Sequence, residues 1–308
     1  MFLKKGSYPV LPTAFTEDGI VDFKSIDKLL QKLLKSTVSG LVILGTTSES
    51  PTLSIDEKNE IIDFVHKKIN GKKYLIIGVG GNDTLNTLEF AKSCHDKADA
   101  YMVTVPNYNK PSQDGIFNHF SLIASNNEIN DKPIVMYNVP SRCGVNMEPE
   151  TIKALYDSFP NIVAIKEASG SLDQAIKIKS LCDIQIFSGN DNLVIPLMSI
   201  GGAGVITVAG NVYPNLIQKI TEYCLKEKYS KASNLYFKLN KFIDNLFIDT
   251  NPVPLKYFLS MQKIFSNSSV RLPLCLMSFE NKDICEQEFN RSKLFLLENK
   301  TNQLNIEI

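Results

Sequence analysis

A lysine at the end of an apolar run is the residue with the clearest chemical potential in this sequence. The stretch "IVAIKEASG", residues 162–170, reaches Lys166 after four apolar residues. Such a run is typical of a strand buried on both faces. A buried ammonium group is costly unless it is paired or loses its proton. Glu167 points to the opposite face of a strand, so it is a poor partner for this amine.

The apolar surroundings of Lys166 favour a nucleophilic role. Desolvation disfavours the charged form and leaves a neutral amine that can attack a carbonyl carbon and form a Schiff base. The alternative is a lysine that reaches the rim of the sheet and pairs there with a carboxylate.

A Schiff-base lysine also needs a proton relay and groups that hold a small keto acid. Tyr137 can relay protons if a second hydroxyl polarises its phenol, and Thr47 and Tyr108 are candidates for that hydroxyl. The loop "GTTSES", which contains Thr46 and Thr47, offers hydroxyls and backbone N–H groups to a carboxylate. Arg142 can bind a carboxylate through two hydrogen bonds. The structural alternatives are a packed tyrosine, turn-forming threonines and a surface ion pair of Arg142.

The elements that would position these residues alternate between strand and helix. Eight short runs rich in β-branched residues predict strands at residues 9–15, 40–45, 74–80, 100–106, 133–140, 162–167, 184–189 and 204–210. Eight such units within 230 residues predict an α/β fold, a TIM (β/α)8 barrel, whose active site lies at the carboxyl ends of the strands. An open doubly wound sheet is the competing fold, but it usually has fewer strands and a glycine-rich first turn.

Helical periodicity fills the intervals between strands and continues beyond the last one. Helices are predicted at residues 22–36, 54–69, 83–96 and 171–182, and Ser54 with Glu57 forms a capping-box pattern. From residue 214 the pattern is helical to about residue 297, and the polar residues 299–308 are expected to fray. We therefore divide the chain into a catalytic barrel, residues 1–225, and a C-terminal helical appendage, residues 226–308.

Composition and charge exclude several classes of function. Lys and Arg total 33, as do Asp and Glu, so the net charge gives no argument for nucleic acid or a membrane surface as a partner. No apolar run approaches the length of a membrane span, and the N-terminus lacks a secretory pattern. The six cysteines have no metal-ligand spacing and predict reduced thiols in a cytoplasmic protein. No metal, cofactor or nucleotide-binding motif is expected.

Four motifs in order, "GTTSES", "PNYNKPSQDG", "YNVPSRCGV" and "IKEASG", resemble the 4-hydroxy-tetrahydrodipicolinate (dihydrodipicolinate) synthase family of class I aldolases. The resemblance implies that Lys166 forms a Schiff base with pyruvate, whose enamine attacks L-aspartate-4-semialdehyde. It implies a relay of Tyr137, Thr47 and a Tyr108 from a neighbouring subunit. The resemblance also implies which groups line the substrate pocket: Thr46, Thr47, Arg142 and the carbonyl of Ile206.

The same resemblance implies a homotetramer built as a dimer of dimers that serves lysine and diaminopimelate synthesis. The chain departs from the family pattern at Ser48, where glycine is usual and where we expect a slightly different backbone, and at Cys143, where threonine is common. Residues that match the family's lysine-inhibition cleft include Ile55, Lys58, Asn86 and Asn107. Because Lys58 is cationic and Asn86 is not a carboxylate, we expect lysine to inhibit weakly or not at all.

Two other functions fit parts of the sequence. A lyase for sialic acid or for a keto-deoxy sugar acid would share the scaffold and Lys166, but "YNVPSR" with Arg142 favours the synthase. A non-catalytic sensor on the same barrel is expected to have lost the lysine or the tyrosine, and Lys166 and Tyr137 are both present.

Overall fold

The strand order is that of a barrel. The computed structural model describes residues 2–301, with side chains described to residue 292. The strands are β1 (Gly6–Pro9), β2 (Gly40–Ile43), β3 (Tyr74–Gly78), β4 (Ala100–Thr104), β5 (Ile134–Asn138), β6 (Ile162–Glu167), β7 (Gln185–Ser188) and β8 (Gly204–Thr207). They form one sheet in the order β1–β8–β7–β6–β5–β4–β3–β2. A parallel bridge between Val10 and Val42 joins the two ends of this order, so the predicted (β/α)8 barrel is observed.

The helices of the described residues alternate with the strands and then follow one another at the C-terminus. They are α1 (Phe23–Lys35), α2 (Ile55–Ile69), α3 (Thr84–Ser93), α4 (Gln113–Ala124), α5 (Pro140–Cys143), α6 (Pro149–Ser158), α7 (Leu172–Leu181), α8 (Val194–Ser199), α9 (Pro214–Leu225), α10 (Tyr229–Asn245), α11 (Val253–Met261) and α12 (Phe279–Thr301). The four helices predicted from periodicity are confirmed. The predicted fraying of residues 299–308 falls mostly outside the described residues.

Capping explains where the first two helices begin. The Asp22 carboxylate accepts hydrogen bonds from the N–H groups of Lys24 and Ser25 at the start of α1. Ser54 and Glu57 form both bonds of the predicted capping box at the start of α2. These bonds use backbone donors that have no partner inside a helix, so the local sequence is sufficient to fix both boundaries.

The first strand lies earlier than its prediction at residues 9–15. Gly6 opens β1 and donates a hydrogen bond from its N–H to the carbonyl of Ala203 at 2.9 Å. A Cβ on the neighbouring Gly204 would lie 1.8 Å from the carbonyl oxygen of Gly6, so only glycine permits this approach. Parallel pairing still continues to Leu11, whose N–H bonds to Val42. It ends there because Pro12 has no N–H to donate.

The helical pattern after residue 214 is also interrupted where one continuous stretch was expected. Helix α9 ends at Leu225, and Glu227 has a φ of 57° before α10 begins. A left-handed residue cannot continue a right-handed helix, so the two helices are separated there. Another break separates α11 from α12.

Two compact units make up the described chain. The first unit comprises residues 2–6 and Tyr74–Ile206, with strands β3 to β7 and helices α3 to α8. Every residue of β5 and β6 in it is buried, as predicted for strands covered on both faces. The second unit comprises Ser7–Lys73 and residues 207–301, with β2, α1, α2 and α9 to α12. The proposed division at residue 225 stays a prediction.

Membrane insertion finds no support in the described helices. None of the helices within residues 2–301 has the length and apolar character that crossing a bilayer requires.

Candidate active site

Lys166 lies at the carboxyl end of β6 and is buried, with 6% of its surface exposed. It stands in register with Tyr137 of β5 on one side and with Phe187 of β7 on the other. Its Nζ atom lies 4.1 Å from the centroid of the Tyr137 ring. Among the described residues, no carboxylate lies within ion-pair distance of this nitrogen. The arrangement therefore favours the nucleophilic role over the rim ion pair.

Gly189 leaves space for the Lys166 side chain. A Cβ at this position would lie 3.2 Å from Cε of Lys166 and 2.5 Å from Cβ of Ala168. A side chain at residue 189 would therefore clash with Ala168 and crowd the lysine. In the sequence this glycine is part of "SGND", and that pattern does not indicate that the residue leaves space for Lys166.

Glu167 faces away from Lys166, as its position in a strand predicts. Its carboxylate accepts hydrogen bonds from Asn138 Nδ2 at 3.0 Å, from Gln174 Nε2 at 3.0 Å and from the N–H of Ser169 at 2.6 Å. These neutral donors satisfy the buried carboxylate. Glu167 is therefore not the counter-ion of Lys166.

Arg142 lies in the short helix α5, which follows β5 directly, and its side chain is exposed. The next residue, Cys143, is buried and donates a hydrogen bond from Sγ to the carbonyl of Val105 at 3.1 Å. Burial raises the pKa of the Cys143 thiol to about 11, so the thiol stays protonated at neutral pH. Cys143 therefore fastens α5 to the end of β4 and is not a nucleophile.

Tyr108 is not gathered with Lys166 and Tyr137. It is 86% exposed and has a φ of 61°, and its hydroxyl forms no hydrogen bond to any residue the structure describes. The expectation that Tyr108 joins the relay of a neighbouring subunit stays a prediction. Ile206 is buried in β8 of the same unit, and its predicted role in lining the pocket stays a prediction.

In the second unit, Thr46 and Thr47 begin a 3-10 helix, Thr46–Ser48, directly after β2. Thr47 is buried, and its Oγ1 accepts a hydrogen bond from Asn251 Nδ2 at 3.0 Å. Ser48 donates from Oγ to the carbonyl of Leu11 at 2.5 Å. The left-handed residue of this loop is Glu49, with a φ of 54°, and not Ser48. Glycine is therefore not required at position 48, and serine adds a bond that glycine lacks.

The C-terminal helices hold this threonine loop through buried charges. Lys256 in α11 is fully buried and forms an ion pair with Glu49. The N–H of Arg271 donates to the same carboxylate at 3.0 Å, and the Arg271 guanidinium pairs with Glu57. Sequence reasoning missed Asn251, Lys256 and Arg271 because their partners lie some 200 residues away along the chain, although the clustered prolines of "NPVP" mark the segment as unusual.

Metal chemistry has no candidate ligand set in the residues described. No group of three or more His, Cys, Asp or Glu side chains in that part of the chain could hold a metal ion.

Comparison with known proteins identifies the family of this chain. The model of the dihydrodipicolinate synthetase family matches residues 3–291. A relative from Methanococcus vannielii named 4-hydroxy-tetrahydrodipicolinate synthase is 43% identical, with 90% of this chain and 95% of that protein aligned.

Solved structures agree with the family match. The crystal structure of dihydrodipicolinate synthase from Thermotoga maritima is 33% identical and superposes with a TM-score of 0.91, covering 95% of this chain and 99% of that one. A structure described as the first monomeric dihydrodipicolinate synthase variant is also 33% identical, with a TM-score of 0.91, covering 95% and 98%. The fold and the family predicted from the sequence are confirmed, and this chain belongs to the dihydrodipicolinate synthetase family.

Proposed function

We propose that the chain condenses pyruvate with L-aspartate-4-semialdehyde through a Schiff base on Lys166. The observation that carries this proposal is a buried lysine amine that lies against a tyrosine ring and has no carboxylate partner among the described residues. We infer the activity from the names that the relatives carry. Those at 39–43% identity over at least 90% of the chain bear the name 4-hydroxy-tetrahydrodipicolinate synthase. The chain is a lyase-type enzyme of lysine and diaminopimelate synthesis.

The first half-reaction takes place on the Lys166 amine. The amine nitrogen attacks C2 of pyruvate, the C2–O bond breaks, and the oxygen leaves as water, which needs two proton transfers. We assign those proton transfers to Tyr137, whose ring contacts the amine. Loss of a proton from C3 of the bound pyruvate then gives an enamine, whose C3 attacks the aldehyde carbon of the semialdehyde.

Two sets of residues are assigned to the substrate carboxylates. Thr46 and Thr47 hold the carboxylate of pyruvate, and the Asn251 amide, which donates to Thr47, fixes the direction of the Thr47 hydroxyl. Arg142 binds the carboxylate of the semialdehyde, in keeping with its exposure at the end of β5. The backbone carbonyl of Ile206 is assigned to the lining of the same substrate pocket.

Assembly is the second part of the proposal. We assign Tyr108 to the active site of a neighbouring subunit, which would bury the 86% of its surface that is exposed here. In the second unit, Leu272 and Phe279 are 83% and 87% exposed and offer apolar surface for contacts with other copies of the chain. A homotetramer of two dimers is the assembly we propose, and sedimentation of the purified protein measures it. The monomeric variant among the relatives is the contrasting case.

We place the enzyme in the cytoplasm, where its six cysteines, all of them free, remain reduced. We also propose that lysine is a weak inhibitor or none, because Lys58 is cationic and Asn86 carries no charge. Half-maximal inhibition below about 1 mM lysine, an affinity of about 4 kcal/mol, would contradict this prediction.

The activity is tested by offering the purified enzyme pyruvate with L-aspartate-4-semialdehyde and, separately, N-acetylneuraminate. We expect turnover with the first pair only. Cleavage of the sialic acid at a comparable kcat/KM would favour the lyase instead.

A further inference from the structure

Asn138 and Glu167 form a buried pair directly behind the proposed catalytic residues. Asn138 follows Tyr137 in β5, Glu167 follows Lys166 in β6, and the two pairs occupy consecutive positions of the strand register. Asn138 is fully buried, and Glu167 is 4% exposed. Because side chains alternate along a strand, these two lie on the face opposite to Tyr137 and Lys166.

The pair is the centre of a continuous hydrogen-bond network. Asn138 Nδ2 donates both to Glu167 Oε2 at 3.0 Å and to Asn146 Oδ1 at 2.9 Å. Asn138 Oδ1 accepts from the N–H of Met147 at 3.0 Å. Gln174 links both sides, since its Nε2 donates to Glu167 at 3.0 Å and its Oε1 accepts from Asn146 Nδ2 at 2.7 Å.

This network joins three parts of the proposed site. It ties the end of β5 to the end of β6 immediately after Tyr137 and Lys166. It also fastens both ends of the segment 138–147, which carries Arg142, because Asn138 at one end binds Asn146 and Met147 at the other. A hydrogen-bond network centred on two buried side chains favours one arrangement of the elements that it joins.

We propose that Asn138 and Glu167 are positioning residues for the reaction. They hold Tyr137 against Lys166 and place Arg142 for the second substrate, without contacting either substrate themselves. This inference rests on the proposed function, because it assumes the roles assigned there to Lys166, Tyr137 and Arg142.

The most direct variant is Glu167→Gln, which preserves the shape of the side chain. A carboxylate only accepts hydrogen bonds, whereas the new amide directs an N–H₂ group towards at least one of the three donors that converge there. We expect kcat to fall by about 10- to 100-fold, the cost of a displacement of up to about 1 Å at the reacting groups. We also expect the KM for the semialdehyde to rise several-fold as Arg142 moves.

Asn161→Ala is the matched control. Asn161 is a buried asparagine directly before β6, at the end of the strand away from Lys166, and its Nδ2 donates to the carbonyl of Ala124 at 3.0 Å. Its loss is expected to lower the thermal unfolding midpoint but to leave kcat and both KM values unchanged. Both variants are assayed well below their unfolding midpoints, so a purely structural role would leave the KM of Glu167→Gln unchanged as well.

A double variant tests the bond itself. Asn138→Asp removes the N–H₂ group that donates to Glu167, and adding Glu167→Gln supplies an amide that can donate to the new carboxylate, so the double variant restores this hydrogen bond. We expect the kcat of the double variant to exceed that of Asn138→Asp.

Normal kcat and KM in Glu167→Gln, or equal kinetic losses in the Asn161→Ala control, would overturn the positioning role. Wild-type enzyme that fails to trap pyruvate on Lys166 would instead overturn the proposed function. The two failures are therefore distinguishable.

Discussion

At the scale of single residues, two lysines among the described side chains are buried, in opposite situations. Lys256 has no exposed surface and pairs with Glu49, so its charge is compensated within the fold. Lys166 is buried almost as fully, yet it contacts an aromatic ring and no carboxylate among the described residues. Lys166 is therefore the buried lysine whose amine no described carboxylate engages and which can react with a carbonyl group.

Replacing Tyr137 with Phe tests the proton relay. The ring and its contact with Lys166 are kept, and only the phenolic oxygen is lost. We expect kcat to fall by about 10²-fold or more, the usual range for a lost acid–base group, with little change in stability. Steady-state kinetics of the variant measures this effect.

Tyr101→Phe is the control for the Tyr137 variant. Tyr101 is also buried in a strand, but its hydroxyl bonds to His95 at 2.9 Å near the start of β4. This change should lower stability while kcat stays normal. Near-normal turnover of Tyr137→Phe would remove Tyr137 from the relay.

At the scale of elements, the C-terminal helices hold a loop of the proposed site. Asn251 precedes α11 and binds Thr47, and Lys256 within α11 binds Glu49. The helical region is therefore part of the structure that positions the threonine loop.

Lys256→Met tests this support. Removing one partner of a buried ion pair is expected to reduce the free energy of unfolding by about 3–5 kcal/mol, because the other charge is left uncompensated. The exposed pair of Lys177 and Glu150 provides the control, and Lys177→Met should cost less than about 1 kcal/mol. Denaturant titration measures both, and equal losses would contradict the assigned role of Lys256.

Local signals predicted most of the elements. The periodicity of residues 22–36 and the capping box at Ser54 gave helices that are observed, and the run 162–167 gave β6 with its stated bounds. The start of β1 was missed because it depends on the close approach of Gly6 to Gly204, which no local pattern encodes.

The candidate site was predictable only in part, because some of its contacts also join residues that are distant in the sequence. The strand pattern alone separates Lys166 from Glu167, and the motifs point to Tyr137 and Arg142. The supporting contacts were not predictable, because Asn251 and Thr47 are 204 positions apart in the sequence. The Asn138–Glu167 bond requires the register of two strands, which the sequence does not specify.

At the scale of the whole molecule, acid sensitivity follows from a buried histidine. His119 in α4 is 4% exposed, its Nδ1 lies 2.8 Å from Thr84 Oγ1, and its Nε2 has no hydrogen-bond partner in the described part of the chain. Burial lowers the pKa of His119 from 6.5 to about 4. The charged imidazole is therefore disfavoured in the folded protein.

The lowered pKa of His119 determines how the stability of the fold changes with pH. Between about pH 6.5 and pH 4 the unfolded chain binds a proton at His119 that the folded protein does not bind, so stability falls as the pH is lowered. We expect His119 to account for a loss of about 3 kcal/mol across that range. The variant His119→Gln should lose correspondingly less stability than wild type between pH 7 and pH 4, as measured by denaturant titration. Parallel curves for the two proteins would contradict this assignment.

The central claim is that Lys166 forms a covalent imine with pyruvate. Its most direct test is reduction with borohydride in the presence of pyruvate, followed by digestion and mass analysis of the peptides. We predict a carboxyethyl group on Lys166, with none on the equally buried Lys256 and none in a Lys166→Met variant. Failure to trap pyruvate, or its attachment to a different lysine, would contradict the account.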